Sequence, residues 1–155
     1  MGTEHPHPLS YLADEVLRLH GRLLAANSDL GAADGLTGAQ VLVLTAVVNA
    51  GRPPTVPQIG RSLGHTRQSV QRIADALTAR GLLAGKENPD HKRAPLLIPT
   101  EAGRAAHRRF DERGQAWIAR VTQGIDADDI ISATETLRAL RTRMESDLAE
   151  GRAAE

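Results

Sequence analysis

Apolar residues recur at intervals of three and four positions through most of the chain, and this spacing indicates amphipathic helices. Turn residues interrupt the runs, as do short extended segments between Leu82 and Pro99. The pattern therefore predicts six helices, one of them short: about 8–27, 38–50, 56–63, 67–80, 101–123 and a last helix that begins after Asp126. The stretch Ser28–Gly35 is rich in Gly and Asp, so it is expected to be a loop.

Local capping signals place the helix boundaries in the middle of the chain. Thr37–Gln40 and Thr55–Gln58 both have the Thr-x-x-Gln form of a capping box, in which each side chain bonds the other residue's backbone N–H. Thr66 is the expected N-cap of the helix that follows a tight turn. Gly81 is expected to end that helix, because glycine readily adopts the left-handed conformation of a C-terminal cap.

The segment after that helix predicts a β-hairpin. Residues 82–87 and 95–99 form two short extended segments, and Asn88–Ala94 between them combines turn-forming residues with a charged tip. Pro95 and Pro99 suit edge strands, which do not need every backbone N–H. Helix, tight turn, helix and hairpin together predict a mostly α fold with a small β-hairpin wing, that is, a winged helix-turn-helix core with additional N- and C-terminal helices.

Composition restricts the class of protein further. The chain has 155 residues, 41% of them hydrophobic and 25% charged, which fits one domain with arms. Cysteine is absent, which excludes disulfides and thiolate chemistry. No apolar run approaches the roughly 18 residues of a membrane span, and the N-terminus lacks a secretory pattern, so a cytoplasmic protein with no membrane partner is expected. No catalytic constellation or cofactor motif stands out, which argues against an enzyme.

The charge is unevenly distributed although the chain is neutral overall. Residues 52–93 contain eight Lys and Arg against three Asp and Glu, whereas the segments on either side are acidic. A local excess of positive charge can bind phosphate even in a neutral chain. The basic region coincides with the predicted helix-turn-helix and wing, and therefore indicates nucleic acid as the partner.

The polar face of the predicted helix 67–80 supplies groups that suit DNA. In a helix-turn-helix, the N-terminal residues of the second helix face the base edges, where arginine can bond guanine and glutamine adenine through two atoms. Hydroxyls at the helix start suit phosphate, and basic wing-tip residues suit the DNA backbone or a minor groove. The predicted DNA-binding residues are Thr66, Arg67, Gln68, Ser69, Gln71, Arg72, His91, Lys92 and Arg93.

These polar residues could also be only a solvated helix face. A separate alternative for the whole chain is a winged-helix protein-interaction module without specific DNA binding. That alternative predicts a neutral or acidic second helix, and the positive charge of residues 52–93 argues against it.

Three segments resemble the multiple antibiotic resistance regulator (MarR) family of winged helix-turn-helix transcription regulators: LTGAQVLVL at 36–44, PQIGRSLGHTRQSVQRIADALTARGLL at 57–83 and NPDHKRAPLLIPTEAGR at 88–104. PadR-like regulators fit less well, because two long helices follow the wing. The resemblance implies a homodimer that reads a palindromic operator in double-stranded DNA. It divides the chain into an N-terminal dimerisation helix (1–35), a DNA-binding lobe (36–100) and C-terminal dimerisation helices (101–155). A repressor is expected, because occluding a promoter needs no separate activating segment.

The resemblance further implies a small anionic or aromatic effector, bound between the dimer helices and the DNA-binding lobe. The residues that it places near such a pocket are His20, Leu24, Leu44, Val48, His107 and Phe110. His107 also lies four residues from Asp111 on one predicted helix, a spacing that can hold a cation. Because no third ligand is evident, no metal site is expected.

Two positions depart from the family pattern. Family wings often carry an aspartate that braces the wing where this chain has His91, so either the neighbouring Asp90 supplies the brace or it is missing and the wing is looser. Pro99 stands where the family usually has an apolar residue, and it is expected to shorten the second wing strand.

Overall fold

A computed structural model describes residues 7–153, and the elements in that range are six α-helices, a short 3-10 turn and a two-stranded antiparallel hairpin. The helices are α1 (Pro8–Gly31), α2 (Gly38–Val48), α3 (Val56–Leu63), α4 (Arg67–Ala79), α5 (Glu101–Val121) and α6 (Ala127–Ala153). The strands are β1 (Leu83–Lys86) and β2 (Leu96–Pro99). These elements confirm the predicted fold class, which is mostly helical with a small hairpin after the fourth helix.

The chain divides into two compact units, one up to Gly114 and one from Gln115. The first unit contains α1 to α4, the hairpin and most of α5, and the second contains the end of α5 and α6. The division into 1–35, 36–100 and 101–155 stays a prediction.

Both capping boxes form as the sequence predicts. The Thr37 hydroxyl accepts from the Gln40 N–H at 3.2 Å, and the Gln40 side chain accepts from the Thr37 N–H at 3.0 Å. Thr55 and Gln58 make the same two bonds at the start of α3. Each box satisfies two backbone donors that the first helical turn leaves unpaired, and so fixes where α2 and α3 begin.

A tight turn joins α3 to α4, and it requires one glycine in the turn, Gly64, and one in the last half of α3, Gly60. Gly64 has a left-handed backbone (φ +67°), which other residues adopt only with strain. The His65 N–H donates to the Gly60 carbonyl at 2.8 Å, and a Cβ on Gly60 would lie 2.9 Å from the His65 oxygen. These glycines let the chain change direction within the three residues 64–66, so that α4 packs closely against α3.

The core of the first unit gathers around α2. Its largest fully buried side chains come from α2, α3, α4 and β1: Val43, Leu44, Ile59, Val70, Leu77 and Leu83. Burying a Leu, Ile or Val side chain contributes roughly 1.5–3 kcal/mol. The core therefore holds the helix-turn-helix and the base of the hairpin as one body, which determines which face of α4 points outward.

The expectation of a loop over Ser28–Gly35 is wrong. The segment 28–31 continues α1, Ala32–Asp34 form a turn of 3-10 helix, and only Gly35 is left-handed (φ +64°). Gly31 serves close packing rather than a turn, because a Cβ there would lie 2.7 Å from the Val41 side chain. The Ser28 hydroxyl also accepts from the Gly38 N–H at 2.7 Å, which joins the end of α1 to the start of α2.

Pro99 does not shorten the second wing strand, contrary to expectation. β2 includes Pro99 and has four residues, as β1 does, with Pro99 opposite Leu83. The missing N–H is not needed, because the Thr100 N–H donates to the Leu82 carbonyl at 3.1 Å and closes the ladder one residue further on.

Asp34 joins the end of α1 to α5 through an ion-pair network. Its carboxylate, 11% exposed, accepts from Arg109 at 2.5 Å and from Arg113 at 2.6 Å. Arg80, at the end of α4, donates to the backbone carbonyls of Asp34 and Gly35 at 2.6 Å each. Burial alone raises the pKa of the Asp34 carboxyl, but the hydrogen bonds and charges of Arg113 and Arg109 outweigh it, so the pKa lies below its usual value.

Asp34→Asn is expected to lower the free energy of unfolding by about 2 kcal/mol at pH 7, because it leaves two guanidinium groups without their anion. Arg109 is half exposed, which keeps the loss below that of a fully buried pair. Because the Asp34 pKa is lower in the folded than in the unfolded chain, its ion pairs contribute their full stability above the unfolded pKa of about 4. This contribution is lost as the pH falls through the folded-state pKa. Urea unfolding should therefore show the difference between the two proteins shrinking below about pH 4.

Asp14→Asn is the control, because it removes an exposed pair with Arg18 on α1. At pH 7, this variant should lose no more than about 0.5 kcal/mol of its free energy of unfolding. Equal losses for the two variants would contradict a special role for the Asp34 network.

Candidate nucleic-acid interface

The direction of α4 follows from its cap and its buried side chains. Thr66 is the N-cap, as predicted, and its hydroxyl accepts from the Ser69 N–H at 3.2 Å. Val70, Ala74 and Leu77 face the core. Ile73 is partly buried and packs against that core, so the polar positions in the first half of the helix are the ones that face away from the protein body.

The six predicted contact residues on this helix lie together on that outward face. All six are exposed: Thr66, Arg67, Gln68, Ser69, Gln71 and Arg72. Within residues 7–153, neither Arg67 nor Arg72 takes part in an ion pair or a side-chain hydrogen bond. Their guanidinium groups, with five N–H donors each, can therefore bind an external acceptor without first breaking an internal contact.

Gln71 differs from its neighbours because its side chain already has a partner. Its amide nitrogen donates to the Asp75 carboxylate at 2.8 Å, one helical turn along. Asp75 was not among the predicted site residues, although the i, i+4 spacing of an amide and a carboxylate is a signal for this bond. The contact holds the Gln71 side chain along the helix and leaves its oxygen as the free group.

The hairpin lies directly beyond α4 and is tied to the helix-turn-helix. The Leu97 N–H donates to the Pro54 carbonyl at 2.8 Å, and Thr55 forms a β-bridge with Leu96. These contacts join β2 to the chain that enters α3. The hairpin is therefore anchored to the same body as α4, and its loop extends from a fixed base.

The three predicted wing-tip residues, His91, Lys92 and Arg93, are all exposed in the loop between the strands. In the described part of the chain, neither the Asp90 carboxylate nor the His91 imidazole makes a hydrogen bond or ion pair. The buried residue of the loop is instead Asn88, at 6% exposure. From the sequence, Asn88 was predicted only to be part of a turn.

The six predicted effector residues are spread over core and surface. Leu44 is fully buried, Leu24, Val48, His107 and Phe110 are partly buried, and His20 is exposed. The rings of His107 and Phe110 lie 6.4 Å apart. Of the six, only Val48 lines a cleft of about 130 Å³. The other residues that line this cleft are Val47, Ala50, Pro53, Leu97, Ile98, Pro99 and Arg104.

Two further expectations concern metals and membranes. Among residues 7–153, no three His, Asp or Glu side chains are grouped so that they could hold a metal ion. Over the same residues, no single helix is long and apolar enough to cross a membrane. Two consecutive segments, Pro8–Asp34 and Gly38–Val48, reach that length and apolar composition only when taken together, and the chain bends by 84° between them.

Two helices joined by a tight turn and followed by an antiparallel hairpin define a winged helix-turn-helix protein. The model of the MarR family matches residues 34–94, which span α2 to the end of the wing loop. The chain is also 33% identical over 139 residues to the uncharacterized protein Rv2011c of Mycobacterium tuberculosis and to Mb2034c of Mycobacterium bovis, covering 90% of this chain and 96% of each relative. The chain belongs to the MarR family, so it is a transcription regulator and not an enzyme.

Several solved structures have the same fold as this chain. CouR from Rhodococcus jostii bound to p-coumaroyl-CoA has a TM-score of 0.75 at 20% identity, over 88% of this chain and 96% of that chain. Apo MarR from E. coli has a TM-score of 0.67 at 24% identity, over 88% and 98%. PcaV from Streptomyces coelicolor, in complex with its natural ligand, has a TM-score of 0.66 at 25% identity, over 90% and 96%.

Proposed function

We propose that this chain is a dimeric regulator that binds a specific palindromic duplex and represses transcription by occluding a promoter. The outward face of α4 carries the proposal, because it presents Arg67, Gln68 and Arg72 to solvent with both arginines unpaired in the described part of the chain. Arginine bonds guanine through two atoms, and glutamine can do the same with adenine. Thr66 and Ser69 at the helix start suit phosphate.

The wing adds positive charge next to this helix. Lys92 and Arg93 are exposed on a loop whose base is anchored to the helix-turn-helix. In the proposed complex they contact the DNA backbone or a minor groove, together with His91. Such contacts would add affinity that falls with salt, while α4 supplies the discrimination between sequences.

A second copy of the chain is the proposed partner of the terminal helices. On α1, Leu17 is 71% exposed, and Val16, Leu19 and Leu23 are exposed too. On α6, Ile131 and Leu148 are more than half exposed. Apolar surface in water costs about 25 cal/mol per Å², so rows of such side chains favour association. Two copies related by a two-fold axis would present two α4 helices to a palindrome.

A small anionic or aromatic effector is also part of the proposal. CouR is bound to p-coumaroyl-CoA and PcaV to its natural ligand, and these relatives support regulation by a small molecule. The proposed site lies around the six effector residues named from the sequence. Arg104, in the cleft next to Val48, would supply a cation to an anionic ligand. The cytoplasm is the proposed location, because the relatives at 33% identity are bacterial and a bacterial regulator meets its DNA there.

Selection of bound sequences from a random duplex library, with the full chain at physiological salt, tests the proposal. The expected result is an enriched palindrome whose half-sites lie about one helical turn, roughly 10 base pairs, apart. Binding that is weak, falls steeply with salt and enriches no motif would overturn the proposal and favour a winged-helix protein-interaction module. A single enriched half-site without a palindrome would overturn the dimer alone.

A further inference from the structure

Asn88, at 6% exposure, is the one polar residue that is buried as a whole among the residues that the structure describes. It lies at the start of the wing loop, three to five residues before the exposed His91, Lys92 and Arg93. A buried amide costs free energy unless its hydrogen bonds are made. Its burial in a loop of otherwise exposed or partly exposed residues therefore indicates a specific role there.

Both ends of the Asn88 amide are bonded, and both bonds stay within the loop. Its side-chain oxygen accepts from the Asp90 N–H at 3.1 Å, and its nitrogen donates to the Ala94 carbonyl at 2.8 Å. The Ala94 N–H in turn donates to the His91 carbonyl at 3.0 Å. Asn88 thus joins the first part of the loop to its last residue, so the backbone of 91–93 is held between two fixed points.

The neighbouring charged groups do not provide this support. Asp90 and His91 are exposed, and within residues 7–153 neither side chain makes a hydrogen bond or ion pair. The contact that Asp90 makes with Asn88 uses the Asp90 backbone N–H, which any residue except proline could supply. The side-chain hydrogen bonds that hold the loop therefore come from the Asn88 amide.

We propose that Asn88 is the positioning residue of the wing, which holds Lys92 and Arg93 ready for DNA. This inference builds on the proposed function, because it needs the wing to contact DNA. Without the Asn88 amide, the loop backbone would have to be ordered at the moment of binding, and that ordering reduces affinity. Asn88 would act through the two basic residues and touch no DNA itself.

A double-mutant cycle on the full chain tests this role. Asn88→Ala is expected to weaken binding to the selected operator by about tenfold and to reduce the salt dependence by about one phosphate contact. In a Lys92→Ala, Arg93→Ala background, Asn88→Ala should lower operator affinity less than about twofold, because the two side chains that it positions are absent. Asp90→Asn is the matched control and should leave affinity within about twofold, because it keeps the backbone donor.

Circular dichroism and thermal unfolding must accompany the cycle, since a general loss of fold would weaken binding in every background. Should Asn88→Ala fail to fold, Asn88→Asp replaces it, because Asp keeps the acceptor and loses the donor to Ala94. Asp also adds a negative charge, whose repulsion of DNA weakens binding in both backgrounds and therefore cancels in the cycle. An equal loss of operator affinity in both backgrounds, or no loss in either, would overturn the inference while the proposed function stands. A wild-type chain that selects no motif would overturn the proposed function and this inference together.

Discussion

Replacement of Arg72 by alanine is expected to weaken binding of the selected operator by roughly 10- to 100-fold, which is the discrimination that one two-atom contact with guanine provides. Arg72 is exposed on α4, on the side opposite the buried Val70, Ala74 and Leu77. It has no internal partner in the described part of the chain, so its removal breaks no contact of the fold. The unfolding temperature should therefore stay unchanged while affinity falls.

Fluorescence anisotropy with the operator and with a scrambled duplex would measure the effect. Arg72→Lys is the matched variant, because lysine keeps the charge and loses the planar fork of donors. If Arg72 reads a base, lysine should fail to restore preference for the operator. If Arg72 contacts only phosphate, lysine should restore most of the affinity and both duplexes should be affected alike. Unchanged affinity in the alanine variant would remove Arg72 from the interface.

Much of the fold could be predicted because its signals are local. The capping boxes at Thr37 and Thr55, the N-cap at Thr66 and the left-handed Gly81 each depend on a few neighbouring residues, and all four form as predicted. The outward face of α4 could be predicted for the same reason, because the helical period alone determines which side chains share a face. The roles of these exposed residues in DNA binding are still a prediction.

The contacts that escaped prediction join residues far apart in the chain. Asp34 meets Arg109 and Arg113 across 75 and 79 positions, and neither spacing nor composition indicates which carboxylate an arginine will find. Gly31 was misread for a similar reason, since a glycine needed for close packing against Val41 looks in the sequence like a turn residue. Asn88 suggested only a turn, because its burial depends on how the loop closes around it.

Gly103→Ala is expected to lower the free energy of unfolding by at least about 3 kcal/mol, which is at the upper end of what most point substitutions cost. Gly103 lies in the first turn of α5, where a Cβ would stand 2.0 Å from the Leu82 carbonyl oxygen. The obstacle is backbone, so no change of rotamer can relieve it. The helix start would have to move away and give up the hydrogen bonds of Thr100 to the Leu82 and Gly81 carbonyls, at 3.1 and 2.6 Å.

Gly114→Ala on the same helix is the matched control, because a Cβ there meets nothing within 4 Å. It should raise stability by up to about 1 kcal/mol, since alanine is the better helix former. Thermal and urea unfolding of the two variants therefore compare the same chemical change with opposite expected signs. Equal stabilities would mean that α5 can move away from Leu82 without loss. The loss expected for Gly103→Ala would instead identify this backbone crossing as the fixed joint between the hairpin and α5, the helix on which Arg109 and Arg113 also hold Asp34.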